Sequence, residues 1–217
     1  MRASHDKAKL ELRINEIMTR APVIPVLTMA RAADAVPLAR ALVNGGLPVL
    51  EITLRTEAAL AAIAAISAEV PDALPGVGTV TAAEQFGPAR AAGARFAVSP
   101  GFSAELAAAA GDLPFLPGIA TPTEAMAARG AGLRHLKFFP AEASGGRAAL
   151  KALAGPFGDL LFCPTGGIDA DNAAGYLALA NVLCVGGSWV APAAAVAVGD
   201  WPRIEGLAAG AAALRRP

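Results

Sequence analysis

Short apolar runs alternate with alanine-rich segments along the chain. The runs are four to six residues long and are mostly rich in Val, Ile, Leu or Phe, as expected for strands that are covered on both faces. The pattern predicts eight strands: Val23–Thr28, Pro48–Thr53, Leu74–Gly78, Arg95–Ser99, Phe115–Gly118, His135–Phe139, Leu160–Pro164 and Val182–Gly186. The segments between the runs have the length and the start signals of helices.

Two of these segments illustrate the helix signals. Thr56 is placed to cap a helix over Glu57–Val70, which repeats apolar residues on one side. Thr121 and Glu124 fit a capping box, and a proline stands at the first helical position. A strand followed by a helix is therefore the predicted repeating unit of the chain.

Eight strand–helix units within 217 residues predict a closed (β/α)8 TIM barrel, formed by a single domain over residues 1–217. The rival arrangement is an open doubly wound sheet, which usually has a glycine-rich first turn, whereas Thr28–Arg31 contains no glycine. Before the first strand, Asp6–Arg20 is predicted to form an extra N-terminal helix with Ile14 and Met18 on its apolar side. We expect this helix to plug the N-terminal mouth of the barrel.

Composition excludes several classes of function. Hydrophobic residues make up 55% of the chain and mean hydropathy is +0.50, which excludes disorder and provides a large core. The 18 basic residues balance 18 acidic ones, so we expect no nucleic-acid partner. Every stretch long enough to cross a membrane is interrupted by Gly, Pro or charge, and the N-terminus lacks a signal-peptide pattern. Cys163 and Cys184 show no metal-ligand spacing, which favours a reduced, cytoplasmic protein without membrane association.

Polar residues interrupt the second predicted strand. Because strand side chains alternate between faces, Glu51, Thr53 and Arg55 share one face while the intervening residues are apolar. The apolar face is expected to pack on helices, which directs the polar face into the barrel mouth, where such folds hold their catalytic groups. A structural Glu–Arg pair near a strand end is the alternative interpretation.

The sixth predicted strand contains a lysine in an apolar run. The chain has four lysines, and of these only Lys137 lies inside a predicted strand. Burial disfavours the charged ammonium form, and the neutral amine is the nucleophile that forms a Schiff base with a carbonyl substrate. The alternative is that Lys137 forms a salt bridge with Glu51 inside the barrel. Both interpretations bring these two residues together.

Paired glycines follow the last two predicted strands. Gly166 and Gly167 come after Thr165, and Gly187 precedes Ser188. Glycine lets backbone N–H groups approach an anion closely, and barrels often bind phosphate in the loops after strands seven and eight. One such pair alone is also compatible with a tight turn. No cluster of His, Asp and Glu suggests a metal site, and we expect neither a metal nor a cofactor.

The motifs and their order resemble the 2-keto-3-deoxy-6-phosphogluconate (KDPG) aldolase family, some members of which also act on 4-hydroxy-2-oxoglutarate. The resemblance extends from about Pro22 to Leu207 and rests on the segments Glu51–Thr56, Gly76–Val80, Ser99–Gly101, Lys137–Glu142, Pro164–Ile168 and Gly186–Trp189.

The resemblance implies a TIM barrel, a homotrimer, and a class I, metal-free aldolase of the Entner–Doudoroff route that acts on a small 2-keto acid phosphate. It implies Lys137 as the Schiff-base lysine and Glu51 as the acid/base. The implied substrate-binding residues are Arg55 and Thr79 for the carboxylate, Pro100 and Phe139 around the pyruvyl group, and Thr165, Gly166, Gly167, Gly187 and Ser188 in the phosphate loops.

Three alternatives remain at this stage. A related aldolase directed at 2-dehydro-3-deoxy-6-phosphogalactonate would share the lysine. Another phosphosugar barrel enzyme, such as an isomerase, would keep the glycine loops without needing Lys137. A non-catalytic sugar-phosphate-binding barrel would have no need for the pair formed by Lys137 and Glu51.

Overall fold

The computed structural model describes residues 2–214, with side chains described from residue 9 onward. The strands are β1 Val23–Leu27, β2 Val49–Thr53, β3 Leu74–Gly78, β4 Ala97–Val98, β5 Phe115–Leu116, β6 Gly118–Ile119, β7 His135–Phe138, β8 Leu161–Pro164 and β9 Val185–Gly187. The helices are α1 Arg2–Thr19, α2 Ala35–Asn44, α3 Ala59–Glu69, α4 Phe86–Ala91, α5 Ala104–Ala109, α6 Pro122–Gly130, α7 Gly146–Ala154, α8 Ala173–Leu177, α9 Ala193–Ala197 and α10 Trp201–Ala212.

All strand pairs are parallel, and the sheet curls. Six strands pair in the order β5-β4-β3-β2-β1-β9, and three more in the order β6-β7-β8. A single residue, Pro117, lies between β5 and β6. The strand is interrupted there because proline has no N–H group to donate to a neighbouring strand. Each of the eight predicted runs contains strand structure, and the fifth is divided at this proline.

Two apolar layers cover the two faces of the strands. The larger layer lies between the strands and the surrounding helices and includes Leu50, Ile52 and Phe138. The smaller layer lies on the other face and includes Phe96 and Val98. Because successive strand residues point to opposite faces, a strand buried on both sides needs a continuous apolar run. This explains why polar residues within these strands are informative.

Helix α1 packs on the smaller apolar layer. Its Ile14 and Met18 are buried there, and the segment predicted as a helix over Asp6–Arg20 is helical from Arg2 to Thr19. Polar contacts fix the helix to the start of β7, where Nδ1 of His135 lies 2.7 Å from Oε2 of Glu11. The other ring nitrogen of His135 lies 3.2 Å from Oδ1 of Asn15. His135 is therefore a structural residue that docks α1.

The two predicted helix caps have different outcomes. Thr121 and Glu124 form the capping box, with Glu124 N donating to Thr121 Oγ1 at 3.3 Å and Thr121 N to Glu124 Oε2 at 2.8 Å. The prediction for Thr56 is wrong, since α3 begins only at Ala59 and the Thr56 hydroxyl donates to the carbonyl of Met29 at 2.6 Å. Among the described residues, no helix is both long and apolar enough to span a membrane.

Candidate active site

A buried lysine and a buried glutamate meet across the curled sheet. Nζ of Lys137, in β7, lies 3.1 Å from Oε1 and 3.5 Å from Oε2 of Glu51, in β2. Lys137 is 5% exposed and Glu51 is 3% exposed. Charges so deeply buried are stable only when they are paired, and a proton can pass directly between groups at this distance. The structure thus brings together the two residues that the sequence nominated for chemistry.

The space for Glu51 comes from a neighbouring glycine. Gly78 is the register partner of Thr53 in the β2–β3 ladder. A Cβ atom on Gly78 would lie 2.4 Å from Oε1 and 2.6 Å from Cγ of Glu51. Any other residue at this position would collide with the carboxylate, so the glycine is required by close approach rather than by backbone conformation.

An aromatic ring adjoins the lysine. Nζ of Lys137 lies 5.1 Å from the ring centroid of Phe139, which is half-buried just beyond the end of β7. The negative face of an aromatic ring attracts a nearby cation. The contact therefore favours a positive charge on the Lys137 nitrogen, whether as an ammonium or as an iminium.

The two residues expected to bind a carboxylate occupy different settings. Arg55 lies in the turn after β2 and is exposed, and its side chain makes no hydrogen bond or ion pair within residues 9–214. Arg55 thus lies two residues beyond the end of β2 and is exposed, whereas Glu51 and Thr53 lie within the strand and are buried. Thr79, directly after β3, is half-buried and has a φ of 60°. A β-branched residue rarely adopts this left-handed conformation, and such outliers cluster at ligand sites.

Pro100 lies where two strand ends approach closely. A Cβ atom on Gly118 would lie 2.1 Å from the carbonyl oxygen of Pro100, so the backbones touch here. The fully buried Ser99 donates its hydroxyl to the carbonyl of Gly101 at 2.6 Å and stabilises this turn. Pro100 itself is half-buried at the same edge of the sheet as Thr79.

The first glycine loop follows β8 and has the geometry of an anion site. Gly166 and Gly167 have φ values of 99° and 77°, which only glycine adopts readily. Within residues 2–214, the amides of Gly167 and Ile168 donate no hydrogen bond. Consecutive free backbone N–H groups of this kind form a concave site for an anion.

The second glycine loop lies beside the first. Thr165 pairs with Gly186 in an isolated parallel bridge, and a Cβ atom on Gly186 would lie 2.3 Å from Oγ1 of Thr165. Gly187 ends β9, and Ser188 follows it with an exposed hydroxyl. After Ser188 a turn precedes α9, which begins at Ala193. The two loops therefore present their polar groups at one edge.

Two further features bear on ligands. A cavity of about 610 Å³ adjoins the second loop at Ser188 and is lined also by Thr28, Arg31 and Trp189, but not by Lys137 or Glu51. Among the residues whose side chains are described, no group of three or more His, Cys, Asp or Glu could hold a metal ion. Cys163 and Cys184 are buried and unbridged.

Known proteins match this chain over most of its length. The model of the KDPG and KHG aldolase family matches residues 14–207. The chain belongs to this family. The 2-dehydro-3-deoxy-phosphogluconate aldolase of Dickeya dadantii is 55% identical over 195 residues, which are 89% of this chain and 92% of that protein.

Solved structures of family members have the same fold. The KDPG aldolase of Legionella pneumophila, with pyruvate captured as a covalent carbinolamine, superposes with a TM-score of 0.90 at 45% identity, covering 92% of this chain and 98% of that chain. A structure described as native KDPGal superposes with a TM-score of 0.79 at 30% identity, covering 88% and 93%. This chain is therefore more similar to the KDPG aldolase of Legionella pneumophila than to the KDPGal structure.

Two residues near the site were not predicted from the sequence to be functional. Glu142 follows the lysine strand, and Tyr176 lies in α8, where its hydroxyl donates to Oε1 of Glu142. Burial, and then the hydrogen bond and charge of Glu142, raise the pKa of Tyr176 well above its usual value, whereas Arg147 lowers it slightly. The residues are 34 positions apart, and no local pattern in the sequence links them.

Proposed function

We propose that this family member is a class I aldolase that cleaves 2-keto-3-deoxy-6-phosphogluconate to pyruvate and glyceraldehyde 3-phosphate. It also cleaves 4-hydroxy-2-oxoglutarate to pyruvate and glyoxylate. The observation that carries this proposal is the buried Lys137 amine 3.1 Å from the Glu51 carboxylate. Such a pair supplies both a nucleophile for a carbonyl and a base beside it.

The first stage joins the substrate to the enzyme. Glu51 accepts a proton from Lys137, and the neutral amine adds to the C2 carbonyl of the 2-keto acid to give a carbinolamine. Loss of water then gives an iminium, whose positive nitrogen draws electrons from the neighbouring carbon. The ring of Phe139, 5.1 Å from Nζ, stabilises this charge.

The second stage breaks the C3–C4 bond. Glu51 takes the proton of the C4 hydroxyl through a water molecule, the aldehyde product leaves, and the bonding electron pair moves to the iminium to form an enamine. Protonation of C3 restores the iminium, and hydrolysis releases pyruvate and regenerates Lys137. Covalent catalysis divides a difficult cleavage into easier steps and, in this scheme, needs neither a metal nor a cofactor.

Two separate groups of residues bind the two ends of the substrate in this proposal. Arg55 and Thr79 bind the carboxylate, because a guanidinium offers two parallel hydrogen bonds to it. Pro100 and Phe139 enclose the pyruvyl group. The phosphate is bound in the glycine loops by Thr165, Gly166, Gly167, Gly187 and Ser188. The free amides of the first loop and the hydroxyl of Ser188 support this last assignment.

We also propose the remaining features that the family resemblance implies. The curled sheet closes into a (β/α)8 TIM barrel of a single domain over residues 1–217, with α1 across its N-terminal mouth. The bridge between Phe162 and Val182, together with the one at Thr165, supports closure between β8 and β9. The protein acts as a cytoplasmic homotrimer, and its two buried, unbridged cysteines suit a reducing compartment.

The test is to incubate the protein with pyruvate and borohydride and to map the adduct by mass spectrometry. We expect a single adduct at Lys137, since Lys9 and Lys151 are exposed and pair with no carboxylate of residues 9–214. A Lys137→Arg variant, which keeps the charge but forms no Schiff base, is the matched control and should remain unlabelled. An adduct on another lysine, or none on the active protein, would refute the mechanism. Assays with both C4 epimers then distinguish the phosphogluconate-derived substrate from its galactonate counterpart.

A further inference from the structure

The segment after the lysine strand is built into the first glycine loop. Ala141 N donates to the carbonyl of Thr165 at 2.8 Å, and Glu142 N donates to that of Gly166 at 3.1 Å. A Cβ atom on Gly167 would lie 2.7 Å from Cβ and Cγ of Glu142. The aliphatic part of the Glu142 side chain therefore lies directly on the α-carbon of Gly167 and supports the loop from one side.

The other side of the loop is held by the segment that leads into α8. Asn172 donates its side-chain amide to the carbonyl of Gly167 at 2.8 Å. Asn172 is itself fixed, because its Oδ1 accepts from Asp169 N and its own N donates to Asp169 Oδ1, both at 3.1 Å. The carbonyls of Gly166 and Gly167 thus have partners, and the amide of Gly167 is left for an anion.

The carboxylate of Glu142 must be held away from the loop amides, because its negative charge lies close to the proposed anion site. Its Oε1 accepts a hydrogen bond from Tyr176 and would lie 3.5 Å from a Cβ atom on Gly146, at the start of α7. Tyr176 is fully buried in α8. Since the pKa of its phenol is raised, the hydroxyl stays protonated at neutral pH and remains a donor to the carboxylate.

We propose that Tyr176 and Glu142 are positioning residues for the substrate phosphate: Tyr176 holds the Glu142 carboxylate beside α7, while the stem of Glu142 keeps Gly167 in place. The inference rests on the proposed function, because it assumes that the first glycine loop binds phosphate. Without the tyrosine hydroxyl, the carboxylate is free to turn toward the amides and repel a dianionic group. Tyr176 and Glu142 therefore determine the preference for phosphorylated over unphosphorylated substrates.

The experiment compares Tyr176→Phe with the unmodified protein. KM and kcat are measured for the phosphorylated substrate and for 4-hydroxy-2-oxoglutarate, together with inhibition of the second reaction by inorganic phosphate. We expect the KM for the phosphorylated substrate and the inhibition constant of phosphate to rise about 3- to 10-fold, the effect of one ordinary hydrogen bond. The kcat values and the KM for 4-hydroxy-2-oxoglutarate should not change.

Variants of Glu142 separate its charge from its stem. Glu142→Gln in the Tyr176→Phe background removes the repelling charge and should restore phosphate inhibition. Glu142→Gln alone should bind phosphate at least as tightly as the unmodified protein, whereas Glu142→Ala, which loses the stem, should bind it more weakly. Glu142 is exposed, so these single variants test the inference even if Tyr176→Phe fails to fold.

The outcomes distinguish this inference from the proposed function. If Tyr176→Phe folds and binds phosphate normally, or if Glu142→Gln weakens phosphate binding, the positioning role is wrong. If the double variant is no better than folded Tyr176→Phe, Tyr176 has only a structural role and the inference fails as well. If the unmodified protein neither cleaves the phosphorylated substrate nor responds to phosphate, the proposed function itself fails.

Discussion

Gly78 and Glu51 are in contact across the β2–β3 ladder, at a distance that leaves no room for a side chain at position 78. A Cβ atom there would lie 2.4 Å from the glutamate Oε1. The space left by the glycine lets the carboxylate lie 3.1 Å from Nζ of Lys137. The absence of a Cβ atom at position 78 thus helps to determine the position of the Glu51 carboxylate.

This relationship predicts the effect of Gly78→Ala. The added methyl group should displace Glu51, and a shift of about 1 Å in a catalytic group costs on the order of 100-fold in rate. We expect kcat to fall by about that factor, as measured by steady-state assays. Gly87→Ala is the matched control, because a Cβ atom on Gly87 has no heavy atom within 4 Å, and this variant should keep full activity. A kcat for Gly78→Ala close to that of the control would contradict the assigned role of the glycine.

Glu51→Gln tests the proton transfer itself. The amide has nearly the same shape as the carboxylate but cannot take a proton, so kcat should fall by about 10²- to 10⁴-fold. Borohydride trapping of pyruvate on Lys137 should persist in part, because the lysine remains. Both measurements are made on one preparation, with Glu57→Gln, an exposed position in the following turn, as the control. A nearly normal rate would reduce Glu51 to a structural partner of Lys137.

The two ends of the substrate should respond to different substitutions. Ser188→Ala removes one hydrogen-bond donor from the second glycine loop and should raise the KM of the phosphorylated substrate about 3- to 10-fold without affecting 4-hydroxy-2-oxoglutarate. Arg55→Lys loses the paired hydrogen bonds to the carboxylate and should lower kcat/KM for both substrates about 10-fold or more. Values of kcat/KM for both substrates check this, and equal losses for Ser188→Ala would disprove the phosphate assignment.

The capping box of α6 should make stability depend on pH. Partial burial alone raises the pKa of Glu124, but hydrogen bonds from Ala120 N, the Thr121 hydroxyl and Thr121 N outweigh it and lower the pKa below its usual value. A carboxyl with a lowered pKa in the folded state stabilises the protein above its unfolded pKa and loses this effect as pH falls through the folded value. We therefore expect Glu124→Gln to be destabilising at pH 7.

The measurement is urea unfolding of Glu124→Gln and of the unmodified protein at pH 7 and at about pH 3. The difference in unfolding free energy between the two proteins should shrink at the lower pH, because protonated glutamate and glutamine are then similar. Glu105→Gln, in the first turn of α5, serves as the control at a helix start without a capping box. A difference that is constant across this range would contradict the assigned hydrogen bonds.

Most strands were predictable because their apolar runs reflect burial on both faces. The same logic singled out Lys137 and Glu51, since a charge inside such a run needs a partner or a function. The split at Pro117 also has a local cause, but it was not predicted, because the run Phe115–Gly118 was interpreted as one apolar segment. Apart from this split, the strands, whose cause lies within a few residues, were recovered from the sequence.

Apart from the pair formed by Lys137 and Glu51, contacts between distant segments were not predicted. Thr56 has the right residue type for a cap, but its hydroxyl bonds to Met29, 27 residues away. In the sequence, Arg55 continues the alternation of polar and apolar residues of β2. In the structure, the strand ends two residues earlier and the side chain is exposed. Nothing near Tyr176 in the sequence indicates its bond to Glu142. In each case the tertiary structure, rather than local propensity, decides the surroundings of the side chain.

His135 and Lys137 lie on the same strand, two residues apart, and so point to the same side of it. The first is bonded to α1 and the second to Glu51, about 7 Å further along the strand at 3.3 Å per residue. The stability of the protein and its substrate preference can therefore be engineered separately. We expect stronger packing of α1 against β7 to raise the melting temperature, and we expect changes in the loops at the opposite end to alter substrate preference if they bind the substrate as proposed.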